Sequence, residues 1–108
     1  MININSLDEI NSFIKNTPFT LIYFYSQNCS VCHALYPKLE LLLNDFPSIL
    51  SIKVDISLNP EIAAKYSIFS SPALIFITEE NEIFRYAGII SLYHLNEHLN
   101  RILTHYFS

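Results

Sequence analysis

Residues 19–32 of the chain read FTLIYFYSQNCSVC. The first seven of them, Phe19 to Tyr25, form an unbroken apolar run rich in aromatic and β-branched side chains. A run of this length and composition predicts a strand that is buried on both faces. Cys29 and Cys32 follow shortly after it, and apolar residues then recur at helical spacing. We therefore expect the two cysteines at the junction of a buried strand and a helix N-terminus.

The helix that follows Cys32 is expected to be kinked by Pro37 and to end at Pro47 and Ser48. Its apolar positions are Ala34, Leu35, Leu39, Leu42, Leu43 and Phe46.

The rest of the chain alternates between helix and strand patterns. Ser6 and Glu9 match a capping box and open a first helix, and Asn59 and Pro60 open a short one. Helices are predicted at about 7–15, 60–66 and 92–106, and further strands at 2–4, 49–55, 73–77 and 82–87. The order βαβαβαββα predicts an α/β fold with parallel strands and helices on both faces. The last two strands, joined by a short turn, are expected to be antiparallel, so the sheet is mixed.

The amino-acid composition excludes several classes of protein. A chain of 108 residues suits one domain, residues 1–108. With 51% hydrophobic and 15% charged residues it is not a disordered segment. Its net charge of −4 argues against nucleic-acid partners. One glycine excludes a glycine-rich phosphate loop, and no apolar run reaches the length of a membrane span. The N-terminal residues lack a signal-peptide pattern, so we expect a cytoplasmic protein.

The cysteine pair carries the chemistry that the sequence predicts. A helix N-terminus stabilises a thiolate, which is the reactive form of cysteine. The spacing of Cys29 and Cys32 lets the second thiol reach the first within one helical turn and expel a bound partner. A structural zinc site needs four ligands, and only His33 and three distant histidines are available. We therefore expect neither a metal nor a cofactor.

Haem attachment is a minor alternative. Residues 29–33 match the C-x-x-C-H pattern of c-type haem sites. The only methionine is Met1, so the common methionine axial ligand is missing. Haem attachment also requires export from the cytosol, and the flanking strand and helix favour the redox interpretation of the motif.

A second feature is the segment Ser70-Ser71-Pro72 before a predicted strand. Proline at a strand start indicates an edge, a turn or a cis bond. With this segment included, the chain resembles the thioredoxin family over almost its whole length. The matching positions are the element order, the Cys29 and Cys32 pair, Pro37, Lys53, Asn59-Pro60, residues 66–68, Pro72, Gly88 and Ser91.

The resemblance implies a thioredoxin fold and dithiol–disulfide exchange. Cys29 would be the nucleophile and Cys32 the resolving thiol, and the two would form the redox disulfide. Pro72 would be cis and face that disulfide, and the backbone of Ser71 would hold a substrate segment as an added strand. Gly88 would lie where a side chain obstructs docking.

The resemblance also implies partners. These are proteins that carry disulfides, with a reductase or a low-molecular-weight thiol as the electron donor, and the chain is expected to be a monomer.

The chain departs from the family at several positions. Tyr23 occupies the place of a buried aspartate, and we interpret it as a core aromatic. Lys53 matches a lysine that the family places beneath the active site, where it either tunes the thiol pKa or reaches solvent with its ammonium group. Asn28 replaces a tryptophan on the docking rim, and Ser30-Val31 replaces Gly-Pro between the cysteines. These changes support an alternative function, a thioredoxin-fold binding module with weak redox activity.

Overall fold

The computed structural model describes residues 1–107. Its elements are β1 (Ile2–Asn3), α1 (Leu7–Asn16), β2 (Phe19–Tyr25), α2 (Ser30–Leu43), β3 (Leu50–Asp55), α3 (Pro60–Lys65), β4 (Ala73–Thr78), β5 (Asn81–Ala87) and α4 (Leu92–Phe107). The predicted order of elements and the α/β class are confirmed. Within these residues, no helix combines the length and the apolar character that crossing a membrane requires.

The five strands form one mixed sheet in the order β1-β3-β2-β4-β5. β2 lies at the centre and is parallel to β3 on one side and antiparallel to β4 on the other. In this register Tyr23 lies opposite Lys53 on β3 and opposite Leu74 on β4. The middle of β2 is therefore surrounded by protein, and its carboxyl end delivers the chain to the cysteines.

The apolar run of β2 is buried on both faces, as its sequence predicts. Ile22 and Phe24 belong to the core between the sheet and helices α1 and α3. Phe19, Leu21 and Tyr23 belong to the core on the other face, which also contains residues of α2 and α4. The alternation follows from the two-residue period of a strand. It places Tyr23 on the same face of the sheet as Cys32.

The direction of β4 differs from the parallel arrangement that the alternating pattern predicts. Ala73, the first residue of β4, pairs with Phe24, and Asp55, the last residue of β3, pairs with Tyr25. The chain therefore leaves β3 and enters β4 at the same end of the sheet. The cause is the length of α3, whose six residues span about 9 Å. Each neighbouring strand of six residues spans about 20 Å, so α3 does not carry the chain back along the sheet.

Helix α2 ends at Leu43, earlier than the predicted end at Pro47 and Ser48. The next backbone N–H groups donate to carbonyls three residues back, from Asp45 to Leu42 and from Phe46 to Leu43. Such bonds tighten the last turn and satisfy carbonyls that the helix leaves free. Phe46 therefore enters the core from a turn, although its spacing suggested a helical position.

The hairpin between β4 and β5 turns on two glutamates. Glu79 and Glu80 have φ values of 51° and 64° between the paired residues Thr78 and Asn81. Two successive positive φ angles are typical of a two-residue hairpin turn, which usually contains asparagine and glycine. This turn therefore places two glutamates in the left-handed conformation, which is energetically unfavourable for a residue with a side chain.

Candidate active site

The two cysteines lie at the N-terminus of α2 and form a disulfide, with their Cα atoms 5.2 Å apart. Cys29 is the N-cap residue, and its sulfur accepts a hydrogen bond from the backbone N–H of Cys32 at 3.1 Å. Cys29 is half-buried, whereas Cys32 is only 1% exposed. In the reduced state the same N–H group and the helix dipole would favour a thiolate on Cys29.

A groove on the protein surface opens in front of Cys29. Its lining residues, which we call the front groove, are Asn28, Cys29, Ser30, Val31, Ser71, Pro72, Gly88 and Ile89. They come from the β2–α2 connection, the segment before β4 and the segment after β5. The structure therefore brings together five residues that the sequence selects from distant positions, namely Asn28, Cys29, Ser71, Pro72 and Gly88.

Two of these segments are joined by direct contacts. The Ser71–Pro72 peptide bond is cis, and Pro72 is buried. The backbone N–H of Gly88 donates to the carbonyl of Pro72 at 3.0 Å. Ser71 and Ser26 share a hydrogen bond between their hydroxyl oxygens at 3.2 Å. These contacts hold both walls of the front groove against the loop that carries Cys29.

Gly88 has a φ of +77°, which residues with a side chain rarely adopt. A Cβ atom built on Gly88 would meet no other atom within 4 Å. The backbone conformation, and not a lack of space inside the protein, therefore explains the glycine at this position.

A second cavity, of about 250 Å³, lies on the other side of the disulfide. Its lining residues, which we call the rear cavity, are Tyr23, Tyr25, Gln27, Cys32, His33, Tyr36 and Lys53. Cys32 lines this cavity, whereas Cys29 lines the front groove. The disulfide therefore separates two spaces, each of which is in contact with one cysteine.

Tyr23 packs in the core, as predicted, and it also contacts the cysteine helix. Its side chain is 1% exposed, and its hydroxyl donates to the backbone carbonyl of Cys32 at 2.8 Å. Burial, together with the nearby Tyr36, raises the pKa of Tyr23 to about 12. At neutral pH this residue is therefore an uncharged hydrogen-bond donor.

Lys53 places its ammonium group over aromatic rings. The Nζ atom lies 4.6 Å from the centroid of the Tyr36 ring and 5.7 Å from that of Tyr25. Tyr36 donates a hydrogen bond to Glu40 at 2.9 Å. Burial, followed by that hydrogen bond, raises the pKa of Tyr36 to about 12. The cation is thus held by cation–π contacts in the rear cavity.

His33 and Gln27 complete the rear cavity. The Nε2 atom of His33 lies 2.8 Å from the backbone carbonyl of Gln27. The side-chain amide of Gln27 donates to Asp55 at 3.0 Å. Burial raises the pKa of Asp55, but hydrogen bonds from Ser57 and Gln27 outweigh it, so that pKa lies below its ordinary value.

Sequence reasoning missed Gln27, Tyr36 and Asp55 as parts of the site. Tyr36 follows Cys32 by four residues, so helical spacing was a signal that both lie on one face of α2. Gln27 carries no comparable signal. Among residues 1–107, no group of three or more histidine, cysteine or acidic side chains is arranged to hold a metal ion.

Comparisons with known proteins agree with this geometry. The family model described as Thioredoxin matches residues 2–101. A thioredoxin-like protein of Bacillus subtilis, YdfQ, is 32% identical over 98% of this chain and 95% of its own length. A thioredoxin of Chlamydia caviae is 36% identical over 82% of this chain and 86% of its own length. The crystal structure of Fasciola hepatica thioredoxin superposes with a TM-score of 0.85 at 30% identity, covering 94% of this chain and 98% of the other.

Proposed function

The chain belongs to the thioredoxin family and is a thiol–disulfide oxidoreductase, and we propose that it reduces disulfide bonds in other proteins through Cys29 as the nucleophile and Cys32 as the resolving thiol. The observation that carries this assignment is the asymmetry of the pair. The sulfur of Cys29 accepts the Cys32 N–H at the helix N-terminus and faces the front groove. Cys32 is buried and faces the rear cavity.

The proposed reaction has two exchange steps. The Cys29 thiolate attacks one sulfur of a substrate disulfide, and the substrate bond breaks as its other sulfur leaves and takes up a proton. The Cys32 thiolate then attacks the Cys29 sulfur of the mixed disulfide. The bond between Cys29 and Cys32 forms, and the second substrate sulfur leaves. Two electrons pass from the cysteine pair to the substrate, and an external donor must reduce the pair again.

We assign docking of the substrate to the front groove. An extended substrate segment would lie along the backbone of Ser71 as an added strand, next to the cis Pro72. Gly88 supports this assignment because its missing side chain leaves that wall of the groove open. Asn28 would contact the substrate at the rim, in place of a larger aromatic ring. Tyr23 and Lys53 support the pair from behind.

The remaining assignments concern the cellular setting. Members of the family act on protein disulfides with a reductase as the donor. We propose the same for this chain, with a low-molecular-weight thiol as the other candidate donor. We further propose that residues 1–108 form one domain, that it acts as a monomer in the cytoplasm, and that nucleic acid is not a partner. Its net charge of −4 supports the last point.

A matched pair of substitutions tests the two roles. Cys29→Ser should abolish the reduction of insulin that the protein catalyses with dithiothreitol as the electron donor. Cys32→Ser should still attack the substrate but should accumulate a mixed disulfide that mass spectrometry detects under non-reducing conditions. Insulin reduction that survives Cys29→Ser would contradict the assignment of the nucleophile. A mixed disulfide that accumulates on Cys32 in Cys29→Ser, with none on Cys29 in Cys32→Ser, would reverse the two roles.

The direction of electron flow needs a separate measurement. A reductant should have a reduction potential below about −230 mV, and equilibration of the pair with glutathione measures it. A value well above that limit would place the protein among glutaredoxins and isomerases and would contradict the reductase proposal.

A further inference from the structure

The resolving step requires a proton acceptor for Cys32. A thiol attacks a disulfide as its thiolate, so the Cys32 sulfur must lose a proton before it can displace the substrate. Cys32 is 1% exposed, and the rear cavity is the space that it lines. The acceptor is therefore sought among the side chains of that cavity.

Five of these side chains are poor acceptors at neutral pH. The hydroxyl of Tyr23 already donates to the Cys32 carbonyl, and burial raises its pKa to about 12. Burial also raises the pKa of Tyr25 and that of Tyr36. Lys53 carries an ammonium group, held over two of these rings, which has protons to donate and no lone pair to accept one. The Gln27 amide does not take up protons.

The charged groups behind the cavity are also engaged. Glu40 accepts hydrogen bonds from Tyr36 and from the N-terminal amine of Met1. Asp55 accepts hydrogen bonds from Gln27 and from both the backbone N–H and the hydroxyl of Ser57. Neither carboxylate lines the rear cavity.

His33 differs from all of these side chains. Imidazole is the side chain that ordinarily exchanges protons between pH 5 and 8. Its Nε2 atom lies 2.8 Å from the carbonyl of Gln27, and a carbonyl accepts but does not donate. In the neutral ring the proton is therefore on Nε2, and Nδ1 has the free lone pair. The exposed ring can pass a captured proton to solvent.

We propose that His33 accepts the proton of Cys32 through water in the rear cavity during the resolving step. The cavity of about 250 Å³ has room for this, because a water molecule occupies about 30 Å³ of liquid. The proton leaves the Cys32 sulfur and ends on Nδ1 of His33, giving a thiolate and an imidazolium. The thiolate then attacks the Cys29 sulfur, and the imidazolium releases its proton to solvent. This inference rests on the proposed roles of Cys29 and Cys32.

Stopped-flow reaction of the reduced protein with Ellman's reagent separates the two steps. The attack by Cys29 depends on reagent concentration, and the displacement by Cys32 releases a second coloured thiolate at a rate that becomes independent of concentration. In His33→Gln we expect the second rate near pH 7 to fall by about a hundredfold, at the lower end of general-base effects. The rate of the attack by Cys29 should stay within about twofold of its value in the unchanged protein. His94→Gln removes an exposed histidine from α4 and serves as the matched control.

The pH profile distinguishes proton transfer from a structural effect. The second rate of the unchanged protein should decline at acidic pH, because an imidazolium has no lone pair with which to accept a further proton. In His33→Gln it should instead rise about tenfold per pH unit through neutral pH, as the rate then follows the thiolate fraction of Cys32.

An unchanged second rate and profile in His33→Gln would overturn the inference and leave the roles of the cysteines intact. Equal slowing of both steps would also overturn it, because His33 would then act on Cys29 or on the fold. If the unchanged protein showed no concentration-dependent step at Cys29, the proposed function itself would fail, and the inference with it.

Discussion

The hydrogen bond from Tyr23 to the Cys32 carbonyl predicts a measurable share of the stability of the site. Tyr23→Phe removes the hydroxyl and keeps the ring, which stacks near Tyr25 and Tyr36. No cavity larger than one oxygen is created, so the cost should be that of the hydrogen bond. A net loss of about 1 kcal/mol is expected from typical values of 0.5–1.5 kcal/mol. It corresponds to a decrease in Tm of about 4–8 °C for a domain of this size.

Urea and thermal unfolding of the oxidised protein measure this loss, and two further variants calibrate it. Tyr23→Ala also removes the buried ring and should cost about 3–5 kcal/mol. Tyr66→Phe is the matched control, because the Tyr66 ring packs on Phe24 and its hydroxyl makes no hydrogen bond within residues 1–107. Its free energy of unfolding should change by less than about 0.5 kcal/mol.

Two results would refute the reasoning. If Tyr23→Phe cost no more than Tyr66→Phe, the hydroxyl would contribute nothing that water does not supply in the unfolded chain. If it cost as much as Tyr23→Ala, the ring would have lost its packing, and the effect could not be ascribed to one hydrogen bond.

Three further variants test other parts of the structure by urea unfolding. Gly88→Ala should cost about 1–2 kcal/mol because alanine is strained at a φ of +77°, and an unchanged midpoint would contradict this. The double substitution Glu79→Asn, Glu80→Gly should raise the free energy of unfolding by about 1–2 kcal/mol, because both φ angles are positive; a decrease would oppose the turn assignment. The folded pKa of Asp55 is lowered, so its contribution to stability is present above the unfolded value of 3.8 and is lost as pH falls through the folded pKa. Asp55→Asn should therefore flatten the loss of stability below about pH 4, and an unchanged slope would show that other carboxylates cause it.

The front groove was predictable because each of its parts carries a local signal. A cysteine pair before a helical pattern, a proline at a strand start and a lone glycine after a strand are visible one by one. The resemblance to a known family then places Cys29, Pro72 and Gly88 in one site. The buried strand β2 was equally visible, since a run of seven residues in which Thr20 is the one polar residue leaves little choice of environment.

The rear cavity was not predictable in the same way, because it depends on how elements are aligned. Tyr23 meets Lys53 only through the register between β2 and β3. Tyr36 enters only if α2 turns that face toward the same strand. The contact between His33 and Gln27 joins a side chain to a backbone carbonyl, which no pattern of residue types reveals. The direction of β4 likewise depends on the length of α3 and not on the alternation of strands and helices.

The separation of the two spaces has a consequence for how the protein can be changed. The front groove and the rear cavity have no lining residue in common, and each is lined by one cysteine of the disulfide. A substitution at Asn28 should therefore alter which substrates dock and the rate of attack by Cys29, while the rate of resolution by Cys32 stays the same. A substitution in the rear cavity should alter the rate of resolution by Cys32 and leave docking and the rate of attack by Cys29 unchanged. If Asn28→Trp changed both rates by the same factor, the two spaces would be coupled through movement of the α2 N-terminus. Measuring both rates in one protein distinguishes these cases, because the proposed roles assign one rate to each cysteine.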